Sequence, residues 1–341
     1  MLDWRESYSA SWRIFRVDPD TWADADEVAG IDSVSVDLTD SGEMVSGTLE
    51  ATAGAIDPGY MRVVMTATQG EEVERVEIAT LLVESTLRKL KGGAWSVSLD
   101  GRSVLHPAAT CRVFSPAYAP SGSDGAQLAG EILGQCIAAP VVVEGSFTLS
   151  SDVVFDPGGS ALDAAWLVLK AGNHVIQVHG DGAVHILPTP VDVAILLDDA
   201  HAALLMPEMD CELDYGDVPN RYIAVDDGLV EVVANEDAAS PTSRGARGYW
   251  IDVYDASPKY IGGETLAQYA ERRLAELSTV HDSRSYTREW WPGVYPGSIA
   301  RGSLASAGLD GDMRISGQSY ECGAGIVVTE KAYMEVRTWE P

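Results

Sequence analysis

The stretch Gly158–Pro190, "GGSALDAAWLVLKAGNHVIQVHGDGAVHILPTP", predicts a helix followed by a tight hairpin. Ser160 with Asp163 three residues later is a variant of the capping box that starts helices. One face of the helix carries apolar residues at helical spacing, namely Leu162, Trp166 and Leu169. Gly172 is placed to end the helix in the left-handed conformation.

The second half of this stretch has the pattern of two short strands. "HVIQVH" (174–179) and "AVHILP" (183–188) are rich in β-branched residues and are joined through "GDG", a strong hairpin signal. We therefore expect a helix whose apolar face packs on an antiparallel hairpin.

Three histidines and an aspartate on this hairpin are the best candidates for a metal site. Side chains alternate along a strand, so His174 and His179 should point to opposite faces, which is poor for a shared ion. His185 can meet one of them across the hairpin, and Asp181 lies at the tip. With no H-E-x-x-H or H-x-x-E-H motif, we expect ordinary hairpin residues, no bound metal and no cofactor.

Other catalytic signatures are also missing from the sequence. There is no G-x-S-x-G, no evident Cys–His pair and no G-x-x-x-x-G-K phosphate loop. With 52 Asp and Glu residues, two carboxylates facing each other as in a glycosidase would arise by chance. The chain is therefore predicted not to be an enzyme, with a cell-wall glycoside hydrolase as the weakest alternative.

The composition limits the class of protein further. Of 341 residues 46% are hydrophobic, enough for real cores, while 23 Lys and Arg against 52 Asp and Glu give a net charge of −29. Such a surface repels the nucleic-acid backbone, so direct DNA binding is not expected. No apolar run approaches a membrane span, and the N-terminus lacks the apolar region of a secretion signal.

The four cysteines, Cys111, Cys136, Cys211 and Cys322, lie far apart without a C-x-x-C motif. This spacing is unlike a zinc or iron–sulfur site. Buried free thiols are the expectation in the absence of a secretion signal.

Two regions read as series of short strands. From Trp12 to about Leu105, six segments alternate polar and apolar residues and are separated by turns such as "TDSGE" (39–43) and "KLKGG" (89–93). A second β-rich region begins near Asp217 and contains a surface helix predicted over Glu264–Val280. Between them lies a short helix, about Ala126–Ile137, with Asp124 as its N-cap.

We therefore predict a mainly β fold with some α, in which each strand-rich region is a barrel or a sandwich about the size of a small barrel and a small α/β domain lies between them. The first barrel is expected over residues 1–110, completed by about 200–235, the middle α/β domain with its helix and hairpin over 111–199, and the second barrel with one covering helix over 217–341.

Aromatic residues leave one binding hypothesis open. Trp290 and Trp291, before "PGVYPG", with loop aromatics such as Tyr118, are candidates for a sugar-stacking platform. Neighbours on a strand point to opposite faces, so one of the two tryptophans is expected in the core. Trp4 and Trp12 are expected to pack as an N-terminal anchor.

The order of these elements resembles the hub proteins of tailed-phage tails and baseplates. Four pieces carry the resemblance: "GIDSVSVDLTDSGEMVSGTLEA" with "GYMRVVMTAT" (30–68); "SALDAAWLVLKAGNHVIQVHGDGAVHILPTP" (160–190); "VPNRYIAVDD" leading to "NEDAASPTS" (218–243); and "LAQYAERRLAE" followed by "WWPGVYPGSIAR" (266–301). Ser298 stands where the family usually has an acidic residue after Pro-Gly, a mild departure.

The resemblance implies a structural virion protein at the phage tail tip, made in the host cytoplasm. It implies two tube-like β-barrel domains with an inserted small α/β domain. It also implies a homotrimer whose barrels form a ring, with the distal tail or tail tube protein above and a tip fibre or spike below. DNA would pass through the lumen without specific binding, and a tail-tip adhesin or carbohydrate-binding module is the alternative. Some larger relatives carry a C-terminal lytic domain, for which the chain ending at Pro341 is expected to leave no room.

Overall fold

The computed structural model describes the chain except for residues 1, 5, 7, 40–45, 52–56, 92–93, 157, 199–204, 259–262, 305–307, 323–325 and 341. The turns predicted at 39–43 and 89–93 fall partly outside the described residues. No helix in the described part of the chain has the length and apolarity to cross a membrane.

The elements are as follows. The strands are β1 Ser9–Val17, β2 Asp24–Glu27, β3 Ile31–Thr39, β4 Ser46–Ala51, β5 Gly59–Gln69, β6 Glu72–Lys91, β7 Ala94–Arg102, β8 Tyr118–Ala119, β9 Val141–Val143, β10 Val153–Val154, β11 His174–Val178, β12 Val184–Pro188, β13 Val193–Leu197, β14 Leu205–Leu213, β15 Arg221–Asp226, β16 Leu229–Ala234, β17 Asp252–Asp255, β18 Thr279–Glu289, β19 Ile299–Leu304, β20 Leu309–Cys322 and β21 Ile326–Arg337. The helices are α1 His106–Thr110, α2 Gly125–Gly134, α3 Ala161–Ala171, α4 Arg244–Arg247 and α5 Leu266–Leu277.

The chain divides into two compact units. The first comprises residues 1–209 and 286–332, and the second comprises residues 210–285 and 333–341. The prediction of a mainly β fold with some α is confirmed. The division into residues 1–110, 111–199 and 217–341 stays a prediction.

A long sheet organises the first unit. In this unit the strands follow the order β20-β3-β4-β7-β6-β5-β1-β2, with β19 paired to β20 and β13 paired in parallel to β19. Strand β20 pairs antiparallel with β3, so strands from the two ends of the sequence share one sheet. Within the described residues this sheet does not close into a barrel, and the predicted barrels stay a prediction.

Strand alternation explains the core of this sheet. In β3, Val34, Val36 and Leu38 are buried while Ser35 and Asp37 between them are exposed. This period of two is the pattern of a sheet with one buried face.

The middle of the first unit is the predicted helix and hairpin. Strands β11 and β12 pair antiparallel, β9 adds in parallel to β12, and α2 and α3 pack on this small sheet with a shared apolar core. The Ser160 hydroxyl accepts from the Asp163 N–H at 3.0 Å while the Asp163 carboxylate accepts from the Ser160 N–H, so the capping box is confirmed. The Asp124 carboxylate caps α2 as predicted, although α2 ends at Gly134 rather than near Ile137.

The prediction for Gly172 was wrong. Its φ is −112°, and the left-handed residue is Asn173, with φ of 53°. A Cβ on Gly172 would lie 2.1 Å from the Phe147 ring. Glycine is therefore required there because an aromatic ring packs directly on the backbone, and Asn tolerates the left-handed position that follows.

The second unit pairs β15 antiparallel with β16 and in parallel with β17, and α5 packs on this sheet. Helix α5 is shorter than the predicted Glu264–Val280, because Thr265 and Gln268 form a capping box at its start and Val280 belongs to β18. It is a surface helix as predicted, with Leu266, Ala270 and Leu274 buried on one side.

Candidate functional site: the histidine hairpin

The hairpin histidines separate into two environments. His179 and His185 stack at a ring-centroid distance of 3.6 Å, so His185 meets His179 across the hairpin. His174 lies elsewhere: its Nδ1 is 2.7 Å from the Gly172 carbonyl oxygen and its ring packs on Phe147 at 4.6 Å. Strand alternation thus correctly separated His174 from His179.

The paired rings attach the hairpin to the loop after β18. The His179 ring also stacks on Tyr295 at 4.3 Å with the ring planes 5° apart. Gln177 donates to the Pro296 carbonyl at 2.8 Å, and its side-chain oxygen lies 3.1 Å from His179 Nε2. The "PGVYPG" segment therefore packs against the hairpin face that carries Gln177 and His179. The sequence alone did not predict that this segment lies beside the histidines.

The electrostatics of this stack favour a neutral ring. Burial and then the neighbouring His185 lower the pKa of His179 to about 4, against the opposing effect of the Asp181 and Glu144 charges. His185 Nδ1 lies 2.5 Å from a Glu144 carboxylate oxygen. Among the described residues, no group of three or more His, Cys, Asp or Glu side chains is arranged to hold a metal ion. The stacked rings of His179, His185 and Tyr295 are packing contacts between the hairpin and the loop after β18.

The tip of the hairpin docks into a socket on the N-terminal strands. We call residues 179–183 the tip, and Trp22, Arg62, Glu77 and Thr80 the socket. The Thr80 hydroxyl donates to the Gly180 carbonyl at 2.9 Å. The Asp181 carbonyl accepts from the Arg62 guanidinium at 2.7 Å and from the Trp22 indole N–H at 2.9 Å.

Both glycines of "GDG" are needed by this docking. A Cβ on Gly180 would lie 1.9 Å from the Glu77 carbonyl oxygen, a distance that no real contact reaches. Gly182 has a φ of +79°, and a Cβ there would lie 2.7 Å from Thr80 Cβ. The Asp181 carboxylate accepts from the Ala183 N–H at 2.9 Å, so it shapes the turn.

Arg62 is the charged centre of the socket. Its side chain is 7% exposed and pairs with Asp24 at 2.6 Å, while its Nε donates to Thr80 at 3.2 Å. Asp24 also pairs with Arg75 on the more exposed side. The guanidinium thus joins the acidic strand β2, strand β6 and the hairpin tip in one hydrogen-bonded group.

We expect the His179 stack to lose stability in acid. The unfolded chain takes up a proton on this ring near pH 6.5, whereas the folded chain does so only near pH 4. Below pH 6.5 the unfolded state therefore binds more protons, and stability falls as the pH drops towards 4. With allowance for partial solvent screening, the loss is about 2 kcal/mol.

Urea denaturation of the wild type and of His179→Phe at pH 6.5 and pH 4.5 measures this loss. The phenylalanine keeps a flat ring on Tyr295 and removes the titration, so its stability should fall less over this interval. Equal losses in the two proteins would show that His179 does not titrate as described.

The other aromatic candidates separate as well. Trp290 is buried in the core of the first unit, with its ring edge-on to Trp4 at 4.9 Å, and Trp291 is partly buried against the same core. Trp4 is buried and Trp12 packs partly buried on that core, as the anchor prediction required. Tyr118, at 49% exposed, is the accessible member of the predicted platform.

The cysteines differ in exposure. Cys322 is buried, as predicted, but Cys211 is exposed on β14, and Cys111 and Cys136 are half-buried. The expectation of buried thiols was therefore wrong for Cys211, which lies in a part of β14 where Asp210 and Glu212 are exposed as well.

The "VPNRYIAVDD" and "NEDAASPTS" pieces form one buried polar network in the second unit. Asn220 donates to the carbonyls of Thr242 and Tyr249, both at 3.1 Å, and accepts from the Ile251 N–H at 2.9 Å. Asn235 donates to the hydroxyls of Ser240 at 2.8 Å and Thr242 at 3.2 Å. The polar residues of these pieces therefore satisfy backbone and side-chain groups of a tight loop.

A buried ion pair escaped the sequence reasoning. Arg288 and Glu330, 1% and 0% exposed, lie 2.5 Å apart in the first unit, and Gln318 donates to the same Glu330 oxygen at 2.6 Å. Burial acts to raise the pKa of Glu330, but the charge of Arg288 and these hydrogen bonds hold it below its usual value. Strand alternation did carry a signal, since Arg288 is in phase with the buried Tyr286 and Trp290.

Comparison with known proteins gives similarity in structure only. No family model matches the sequence, and no curated protein matches it. The tail protein of Neisseria meningitidis MC58 is similar with a TM-score of 0.65 and 15% identity, over 96% of this chain and 97% of that one. The 43 kDa tail protein of prophage MuSo2 from Shewanella oneidensis is similar with a TM-score of 0.61 and 13% identity, over 94% and 97%.

A third similar structure is a chain of the Francisella PdpA–VgrG complex, with a TM-score of 0.55 and 10% identity. It matches 98% of this chain and 60% of its own length. Because two tail proteins align with this chain almost end to end, the chain has the fold of these tail proteins, as the sequence resemblance had predicted.

Proposed function

We propose that this chain is a structural hub of a phage tail tip or baseplate, part of the virion, assembled as a homotrimeric ring. The observation that carries the proposal is the end-to-end structural match to the Neisseria tail protein, 96% of one chain against 97% of the other. A match over part of the chain would indicate only one shared domain, whereas the match to the Neisseria protein extends over both units.

The site geometry supports an assembly role rather than a reaction. The hairpin histidines are used in packing, Asp181 in its own turn and Arg62 in holding the tip. The rings of His179 and His185, the Asp181 carboxylate and the Arg62 guanidinium therefore each have a structural partner. We propose that the chain acts through shape and rigidity and has no catalytic role.

The charge fits a wall of a DNA conduit. The net charge of −29 would repel phosphates, so DNA would pass without being held, whereas a basic wall would bind it. In this proposal the chain is made in the host cytoplasm and contacts the distal tail or tube protein on one side and a tip fibre or spike on the other.

We expect the purified chain to form trimers. Native mass spectrometry across a concentration series should show a species of three times the mass of one chain, and electron microscopy of tail particles should place it in a ring at the tip. A single chain at every concentration, with no ring in tail particles, would contradict the proposal.

The remaining candidate is the carbohydrate-binding module. Trp290 is buried and Trp291 partly so. The exposed aromatic of the predicted platform is Tyr118, which lies beside the exposed Val154, its partner in the β8–β10 pair. Binding to host polysaccharide that disappears in Tyr118→Ala would favour this function over the hub.

A further inference from the structure

Two cysteines separated by 25 positions meet in the first unit. Cys111 follows helix α1 and Cys136 lies just after α2, and their sulfur atoms are 2.7 Å apart. Sulfur atoms this close need to move only a fraction of an ångström to reach the length of a disulfide bond.

The backbone around the pair is fixed without the help of the sulfurs. The Cys111 carbonyl accepts from the Ala161 N–H at 3.0 Å, and the Cys136 N–H donates to the Leu133 carbonyl at 2.9 Å. The Gln135 side chain binds both backbone groups of Ser115, accepting at 3.1 Å and donating at 2.7 Å. These contacts hold the two cysteines at a bonding distance, so closing the bond requires little loss of chain entropy.

The pair is also accessible to an oxidant. Both cysteines are half-buried, and the Cys111 thiol donates to the carbonyl of Val113, a residue that is 90% exposed. Burial and the adjacent Cys111 raise the pKa of Cys136 to about 12, so Cys136 is a poor first nucleophile. In a thiol–disulfide exchange with an oxidant, we therefore expect Cys111 to react first.

We propose that Cys111 and Cys136 form an intramolecular disulfide when the folded chain meets a disulfide oxidant such as oxidised glutathione. The Cys111 thiolate attacks one glutathione sulfur, forms a mixed disulfide and releases one glutathione thiolate, which takes up a proton. Cys136 then gives up its proton, attacks the Cys111 sulfur and releases the second glutathione. The two protein thiols lose two electrons and two protons, and one oxidised glutathione becomes two reduced molecules.

The crosslink would close residues 111–136 into a covalent loop. This loop contains α2 and the strand β8, which carries Tyr118. A reducing cytoplasm would keep the thiols free, and release into an oxidising medium would lock the loop. The inference does not depend on the proposed tail function, because it concerns only this pair.

Peptide mapping tests the proposal in the full chain. Cys211→Ser removes the exposed thiol that would form bonds between chains. This variant is oxidised while folded, alkylated in denaturant and digested with trypsin. Cleavage after Arg102, Arg112 and Lys170 places the two cysteines on separate peptides, 103–112 and 113–170. We expect these peptides to be joined after oxidation and to separate on reduction.

Cys136→Ser in the same background is the matched control. In this control the reaction should stop at the mixed disulfide of Cys111 with one glutathione. Its thermal unfolding midpoint should not rise on oxidation, whereas the midpoint of Cys211→Ser alone should rise by several degrees. Alkylation of both Cys111 and Cys136 after oxidation, glutathione retained on both of them, or a bond from either to Cys322 would each overturn the proposal.

Discussion

Replacing Gly180 with alanine is expected to destabilise the first unit by about 3 kcal/mol, at the upper end for overpacking. The added methyl would lie 1.9 Å from the Glu77 carbonyl oxygen, and the opposing atoms belong to backbone rather than to a flexible side chain. The tip must then retreat, which leaves the buried Thr80 hydroxyl and one arm of Arg62 without their carbonyl acceptors.

Urea denaturation followed by tryptophan fluorescence measures this loss. Gly134→Ala is the matched control, because it makes the same change at the end of α2, where no atom lies within 4 Å of the new methyl. That control should be neutral or stabilising by about 0.5 kcal/mol. Amide hydrogen exchange should also speed up at the tip in Gly180→Ala alone. If both variants unfold at the same urea concentration, the tip does not dock as the structure shows.

The hairpin shows which parts of the site were predictable. Its strands, its turn and the capping box at Ser160 follow from patterns spanning fewer than ten residues, and the structure has all of them. The socket does not follow from any local pattern, because Arg62 meets Asp181 across 119 positions of sequence. In the sequence, "GDG" is interpreted as a turn signal. The two glycines are also needed because a Cβ at Gly180 or at Gly182 would prevent the tip from docking.

The sheet shows the same limit on a larger scale. The alternation of polar and apolar residues identified most strands correctly. It is compatible with every pairing that buries the apolar face, so it does not show which strands are neighbours. Strand β20 pairs with β3, with Tyr320 opposite Val36, although they stand at opposite ends of the chain. From the sequence alone, these two strands are assigned to separate domains. Composition and turn residues show where a strand begins and ends, but they do not show which strand it pairs with.

Removal of the Glu330 carboxylate is the second large effect that we expect. Glu330→Ala leaves the Arg288 guanidinium buried without its counter-charge and takes an acceptor from Gln318. Breaking one side of a buried pair costs about 3–5 kcal/mol, because the remaining charge has lost its hydration as well as its partner. Refolding yield and urea midpoint should both fall.

A double variant separates the charge effect from the loss of packing. Arg288→Met with Glu330→Met replaces both charges by flexible apolar side chains, so no buried charge remains unpaired, and Gln318 keeps the Val294 carbonyl as an acceptor at 3.2 Å. We expect the double variant to be more stable than Glu330→Ala by at least about 2 kcal/mol. If it is no more stable than the single variant, an unpaired buried charge is not what destabilises Glu330→Ala, and this prediction is contradicted. If the expected difference is found, the destabilisation of Glu330→Ala comes from the unpaired charge of Arg288. The ion pair between β18 and β21 is then needed because loss of either charge alone leaves the other buried without a partner.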